Sequence, residues 1–172
     1  MRKIILLGYM GCGKSTIANR LSKITAIPYL DLDKCIEERT HLSINGIFNQ
    51  HGEIYFRKLE REVFIDLLNS PGDLIIGLGG GTPCYANNHE LLTGENIESI
   101  YLKASVDTLF ERLVSNKSKR PLIANKTDDE MKEFIAKHLF DRSFYYNQAQ
   151  HKLVIDGKTK DETTQDILAL LA

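Results

Sequence analysis

Short, wholly apolar runs separated by longer stretches of helical periodicity set the first expectation for this chain. Lys3 to Leu7 is an apolar run ending at Gly8, the pattern of a strand buried on both faces. Ser15 to Ile24 follows, with Ile17, Ala18, Leu21 and Ile24 along one helical stripe. Pro28 to Leu32, Leu74 to Gly77, Ser99 to Leu102 and Leu153 to Ile155 read as further short strands. Between them, Glu53 to Leu68 carries Phe56, Leu59, Val63, Phe64, Leu67 and Leu68 on one side. Asp107 to Val114, Asp128 to Tyr146 and Asp161 to Leu171 are the remaining helical stretches. Apolar strands alternating with amphipathic helices imply an α/β fold, a three-layer α/β/α sandwich around a five-stranded parallel sheet. Ligands of such sheets bind beyond the carboxyl ends of the strands. The chain shows no repeat and no low-complexity linker, and its 172 residues fit one domain spanning residues 1–172.

Composition narrows the partners. Hydrophobic residues make up 42% and charged residues 26%, an ordinary globular balance. A net charge of −1 gives no electrostatic case for nucleic acid. No window approaches the ~18 apolar residues of a membrane span, and the N-terminus lacks the apolar stretch of a signal peptide. Cys12, Cys35 and Cys84 are odd in number and widely spaced, which suits a reducing, cytoplasmic setting rather than a disulfide framework. The histidines have no zinc-site spacing.

The strongest chemical signal is Gly8-Tyr9-Met10-Gly11-Cys12-Gly13-Lys14-Ser15-Thr16, a full G-x-x-x-x-G-K-[ST] match between a strand and a helix. Glycines let backbone N–H groups turn inward against phosphate oxygens, and the helix that begins here presents its positive end to the same anion. Gly11, Cys12, Gly13, Lys14, Ser15 and Thr16 are therefore the expected ATP-binding residues. Lys14 brings a mobile charge to the β- and γ-phosphates, and the Ser15 hydroxyl can bind Mg2+. Cys12 reads first as a small residue at a free motif position; the alternative is a reactive thiol, activated by the helix N-terminus and Lys14, that is alkylated faster than Cys35 and Cys84 and protected by ATP.

Asp31-Leu32-Asp33 follows the second strand. In an extended segment the two carboxylates face one side, roughly 6.6 Å apart. A neighbouring strand would aim them at the phosphate loop, with Asp31 holding the Mg2+ shell and Asp33 accepting a hydrogen bond or proton from an attacking hydroxyl. The alternative for Asp33 is a helix N-cap. Glu53, Arg57, Glu60 and Arg61 stand at helical spacings and by composition alone read as a solvated ion-pair lattice. Gly79-Gly80-Gly81 is by itself a turn, and Lys117-Ser118-Lys119-Arg120-Pro121 a polar loop.

Taken in order, these segments resemble the shikimate kinase family. The phosphate loop is similar to its Gly-x-Met-Gly-x-Gly-Lys-Ser opening, and Asp31-Leu32-Asp33 with Ile36-Glu37 to its Asp-x-Asp-x-x-Ile-Glu. Phe56-Arg57-Lys58-Leu59-Glu60 resembles its Phe-Arg-x-x-Glu, and Gly79-Gly80-Gly81 its triple-glycine loop. Arg120-Pro121-Leu122 looks like its lid, and Arg142 before Tyr145-Tyr146 like its late arginine. Asn45-Gly46 departs from the family pattern, away from any site residue. The resemblance implies a P-loop, nucleoside-monophosphate-kinase-like fold with strand order 2-3-1-4-5, a substrate-binding segment at about 33–61 and a lid at about 115–127. It implies ATP and Mg2+ as co-substrate and cofactor, shikimate as acceptor, and a monomer. Lys14, Asp33 and Arg120 would be catalytic; Asp33, Arg57, Arg142 and the three glycines would bind shikimate, Arg57 and Arg142 through its carboxylate; Arg112 would stack on adenine. The residues alone leave two rivals open, another small-metabolite or nucleoside monophosphate kinase and a nucleotide-dependent switch. The assignment requires the phosphate loop, both carboxylates and Arg57 to converge on one cleft.

Overall fold

The computed structural model describes residues 1–172. Strands β1 (Lys3–Leu7), β2 (Tyr29–Asp31), β3 (Leu74–Gly77), β4 (Ile97–Lys103) and β5 (His151–Val154) form one parallel sheet in the order β2-β3-β1-β4-β5. Every residue of β1 and β3 is buried, so both sheet faces are covered. The edge strand β5 alternates between half-buried and exposed positions instead. Helices α1 (Lys14–Thr25), α2 (Leu32–Thr40), α3 (Ile44–Asn69), α4 (Val106–Val114), α5 (Asp128–Tyr146) and α6 (Lys160–Leu171) supply the outer layers of the sandwich. α1 packs on β1, β2 and β3 and against α6, α2 packs on α3, and α4 on α5.

Two elements differ from the sequence expectation. β2 stops at Asp31, and Leu32, wholly buried, already begins α2. Asp31 is the cap: its Oδ1 accepts from the Lys34 amide at 3.1 Å. Asp33 therefore lies in the first turn of α2, where its negative charge also suits the helix dipole, and not in an extended segment beside Asp31. The second difference is α3, which starts at Ile44 with Ser43 as N-cap and bends at Gly52 (φ 83°) before the stretch that the apolar periodicity marks. The added half brings Phe48 to 4.6 Å from the Phe56 ring.

A buried charge ties the loop after α3 to the central strand. Lys3, at the start of β1, donates to the Ser70 and Gly72 carbonyls at 2.7 and 2.8 Å and so fixes the exit of α3 to the central strand. A buried ammonium is tolerated because its protons are matched.

Candidate active site

The carboxyl ends of β1, β2 and β3 lie side by side, and the segments that leave them build the site. After β1, the chain turns through Gly11 (φ 84°) and Gly13 (φ 95°), conformations natural to glycine, and enters α1. Each of α2, α3, α4, α5 and α6 has a side-chain N-cap; α1 has none and no acidic residue in its first turn. Its open N–H groups are left for an anion. The Lys14 ammonium donates to the Gly8 carbonyl at 2.6 Å and to the Tyr9 carbonyl at 3.3 Å, so it rests on the loop it would extend from.

The loop borders a cleft of about 390 Å3 that also takes in Ser15, Asp31, Asp33, Gly79, Gly80 and Arg120. The Tyr29 hydroxyl faces both Ser15 and Asp31, donating to Asp31 Oδ2 at 3.3 Å. Asp33 is pushed up to about 6, first by burial and then by the neighbouring Asp31, Glu60 and Glu37 carboxylates, with Lys14 acting in the opposite sense. A carboxylate tuned to this value is mostly ionised at neutral pH yet basic enough to take a proton.

Across the cleft, the three glycines after β3 each leave room for one charged side chain. A Cβ on Gly79 would meet the Asp33 carboxylate at 3.2 Å, one on Gly80 the Arg142 guanidinium at 3.0 Å, and one on Gly81 the Arg57 guanidinium at 3.0 Å. The missing side chains are what let Asp33, Arg142 and Arg57 close on one backbone segment. Arg57 Nη1 bonds Glu60 Oε1 at 2.9 Å, Glu60 Oε2 accepts from the Thr82 hydroxyl at 2.8 Å, and the guanidinium lies 3.7 Å from the Tyr85 ring centroid. Glu60 is buried between its partners, so the lattice reading fails for this residue. Arg61 keeps a structural task, holding the Ala86 carbonyl at 2.8 Å. Arg142 Nη1 stands 3.3 Å from the Tyr146 hydroxyl, which donates to the Gly80 carbonyl at 2.6 Å. Its guanidinium also lies over the Tyr9 ring, whose hydroxyl bonds His138 at 2.9 Å.

Arg57 is not part of the wall of the phosphate cleft. It lines a larger groove of about 720 Å3 on the outer side of α3, with Ile54 and Tyr85. The smaller cleft is the one that joins the phosphate loop to Asp31, Asp33, Gly79 and Gly80. Arg57 touches Gly81, one residue past the cleft's lining glycines, so the phosphate loop and both carboxylates share one cleft as the sequence reading required, whereas Arg57 lies beside it.

The remaining expected residues fall around the loop's other flank. Arg112, at the end of α4, donates to the Cys12 carbonyl at 3.0 Å. Arg120, just past the turn Lys117–Lys119, contacts Met10 Sδ at 3.9 Å and borders both the phosphate cleft and a second one, also about 390 Å3, beside Gly11 and Arg112. Lys160, at the start of α6, reaches the same second cleft and gave no sequence signal, since it follows no motif and lies far along the chain. The reactive-thiol alternative for Cys12 is corrected: its side chain is wholly buried beneath the loop, while Cys35 and Cys84 are partly exposed. The thiol fills core space against Gly8.

A strand that passes through glycines into an uncapped helix, opposite a half-buried carboxylate and under a basic loop, is built to hold nucleotide phosphates against an acceptor. The class is the P-loop small-molecule kinases. Known proteins narrow it. The family model described as shikimate kinase matches residues 10–172. A shikimate kinase of Flavobacterium johnsoniae is 73% identical over the full length of both chains, and one of Flavobacterium psychrophilum is 49% identical over 99% of each. Among solved structures, shikimate kinase from Bacteroides thetaiotaomicron superimposes with a TM-score of 0.89 at 34% identity, covering 99% of this chain and 98% of that one. Shikimate kinase from Acinetobacter baumannii in complex with shikimate gives 0.85 at 28% identity, covering 99% and 93%. The chain belongs to the shikimate kinase family.

Proposed function

We propose that the chain transfers the γ-phosphoryl group of ATP to the 3-hydroxyl of shikimate, giving shikimate 3-phosphate and ADP. The observation that carries the residue assignment is the convergence of Asp33, Arg142 and Arg57 on Gly79, Gly80 and Gly81, next to the phosphate loop. Two guanidinium groups fit a carboxylate, for which the planar fork is suited. Asp33 faces the hydroxyl end.

In the reaction the 3-hydroxyl oxygen forms a bond to the γ-phosphorus as the bond to the β-bridging oxygen breaks. The hydroxyl proton passes to Asp33, and ADP leaves. Lys14 moves from the Gly8 carbonyl to the β- and γ-phosphate oxygens, while the open amides of Gly13 and Lys14 bind the same anion. Arg120 supplies charge to the transferring group from the lid segment, about 115–127, whose closure excludes water. Catalysis by these groups is positioning and charge stabilisation. Ser15 and Asp31 are the oxygen donors that would hold Mg2+, linked by the Tyr29 hydroxyl; a site with few protein ligands suits a cation that keeps waters and phosphate oxygens. When bound, Mg2+ neutralises charge on the phosphates.

The acceptor segment, about 33–61, and the lid belong with the phosphate loop to one domain of residues 1–172. In this reading the enzyme works as a monomer, and its three free thiols suit a reducing cytoplasm. ADP release measured with shikimate, gluconate and AMP in parallel tests the assignment. Turnover with shikimate alone is expected; equal turnover with gluconate or AMP, or none with shikimate, overturns it.

A further inference from the structure

We infer that Lys160 is a nucleotide-binding cation, reading the proximal phosphates of ATP and ADP, a role that rests on the nucleotide site proposed above. Its ammonium occupies the space that a Cβ on Gly13 would take, directly against the phosphate loop. It makes no hydrogen bond and no ion pair, although its neighbour Asp161 pairs with Arg20 and nearby Lys158 pairs with Asp166.

The pattern extends around the loop. Lys14 touches carbonyls and a thiol, Arg112 a carbonyl, Arg120 a thioether, and Lys160 nothing, so none of these cations has a carboxylate partner. Arg39 and Arg57, away from the loop, hold Asp66 and Glu60, and Lys158, which also lines the second cleft, holds Asp166. The second cleft, where Lys160, Arg112 and Arg120 meet Gly11, is lined by no carboxylate at all. Unmatched like charges this close repel one another in the empty enzyme, and a polyphosphate is the anion that cancels them together. Burial and the adjacent Arg112 hold the Lys160 ammonium below its ordinary value, in keeping with that crowding.

Position decides which phosphate. The γ end of ATP belongs in the cleft with Asp33, because that is where the acceptor hydroxyl must be. Lys160 lies on the other side of Gly13, with Arg112, toward the remainder of the nucleotide. It therefore contacts phosphates that ATP and ADP share and that adenosine lacks.

The test is calorimetric titration of ATP, ADP and adenosine into the unaltered chain, Lys160→Gln, Lys160→Arg and, as a control, Lys14→Ala. Lys160→Gln is expected to weaken ATP and ADP by a similar factor, about tenfold for a lost charge-assisted contact, to leave adenosine unaffected, and to be largely restored by Lys160→Arg. Without ligand, Lys160→Gln should melt no lower than the unaltered chain, since it relieves repulsion, whereas a purely structural lysine would lower the melting temperature. Unchanged ATP and ADP affinity in Lys160→Gln, with Lys14→Ala impaired, overturns the Lys160 role alone. Equal losses for adenosine and ATP overturn it as well. An unaltered chain that binds no nucleotide overturns both this role and the nucleotide site.

Discussion

Asp33 shows how burial at one residue becomes chemistry. Its carboxyl holds a proton up to about 6, against an ordinary 3.8, chiefly because burial disfavours the charge. The folded state thus binds the proton more tightly than the unfolded chain between these values. Folding loses stability as pH rises through that window, and above about 6 the loss is complete. Asp33→Asn should remove the penalty, raising stability at pH 8 by about 1–2 kcal/mol with the gain fading near pH 4, as thermal melts across pH would record. The same substitution should lower kcat by about a hundredfold or more, and the unaltered enzyme should lose activity below about pH 6 as its base protonates. A stability gain independent of pH would contradict the raised carboxyl of Asp33. Arg57 acts differently, by affinity. Arg57→Ala should raise the shikimate KM by at least about tenfold and leave the ATP KM within about twofold, since the guanidinium stands outside the phosphate cleft. An unchanged shikimate KM in steady-state kinetics would end its carboxylate role.

Among the elements, the glycine loop after β3 is the most exacting. Gly81 has φ −91°, which any residue can adopt, so Gly81→Ala tests space and not backbone strain. The added methyl would meet Arg57 Nη2 at 3.0 Å and the Tyr85 ring at 3.4 Å. The expected outcome is a raised shikimate KM, of the order of tenfold, with a melting temperature near that of the unaltered chain; kinetics paired with a thermal melt separates the two. Gly52, at the bend of α3, is the opposite case: open space around it but φ 83°. Gly52→Ala should cost about 1 kcal/mol of stability in denaturant unfolding, through strain alone.

At the scale of the whole molecule, binding and folding are linked through the uncapped end of α1. ATP at a hundred times its Kd should stabilise the fold by about 2.7 kcal/mol, and Lys14→Ala should abolish most of that ligand-dependent gain while its ligand-free melt stays close to the unaltered chain's. The elements themselves were legible because their signals are local: apolar runs for β1 and β3, a helical stripe for α1, and glycines whose spacing fixes the phosphate loop. Asp33 was expected in an extended segment beside Asp31 because a capping Asp and a strand-ending Asp look alike until Leu32 is seen to begin a helix. Lys160 gave no signal, for its neighbour Gly13 lies at the other end of the chain. By itself, then, the sequence determined the parallel α/β architecture and the residues able to grip a phosphate, since periodicity and turn chemistry act over a few residues. Only the tertiary structure decided that Asp33, Arg142 and Arg57 each meet one glycine, and that Lys14, Arg112, Arg120 and Lys160 gather at the loop without a carboxylate partner. Desolvation and charge pairing are set by atoms distant in sequence, so no local pattern encodes them.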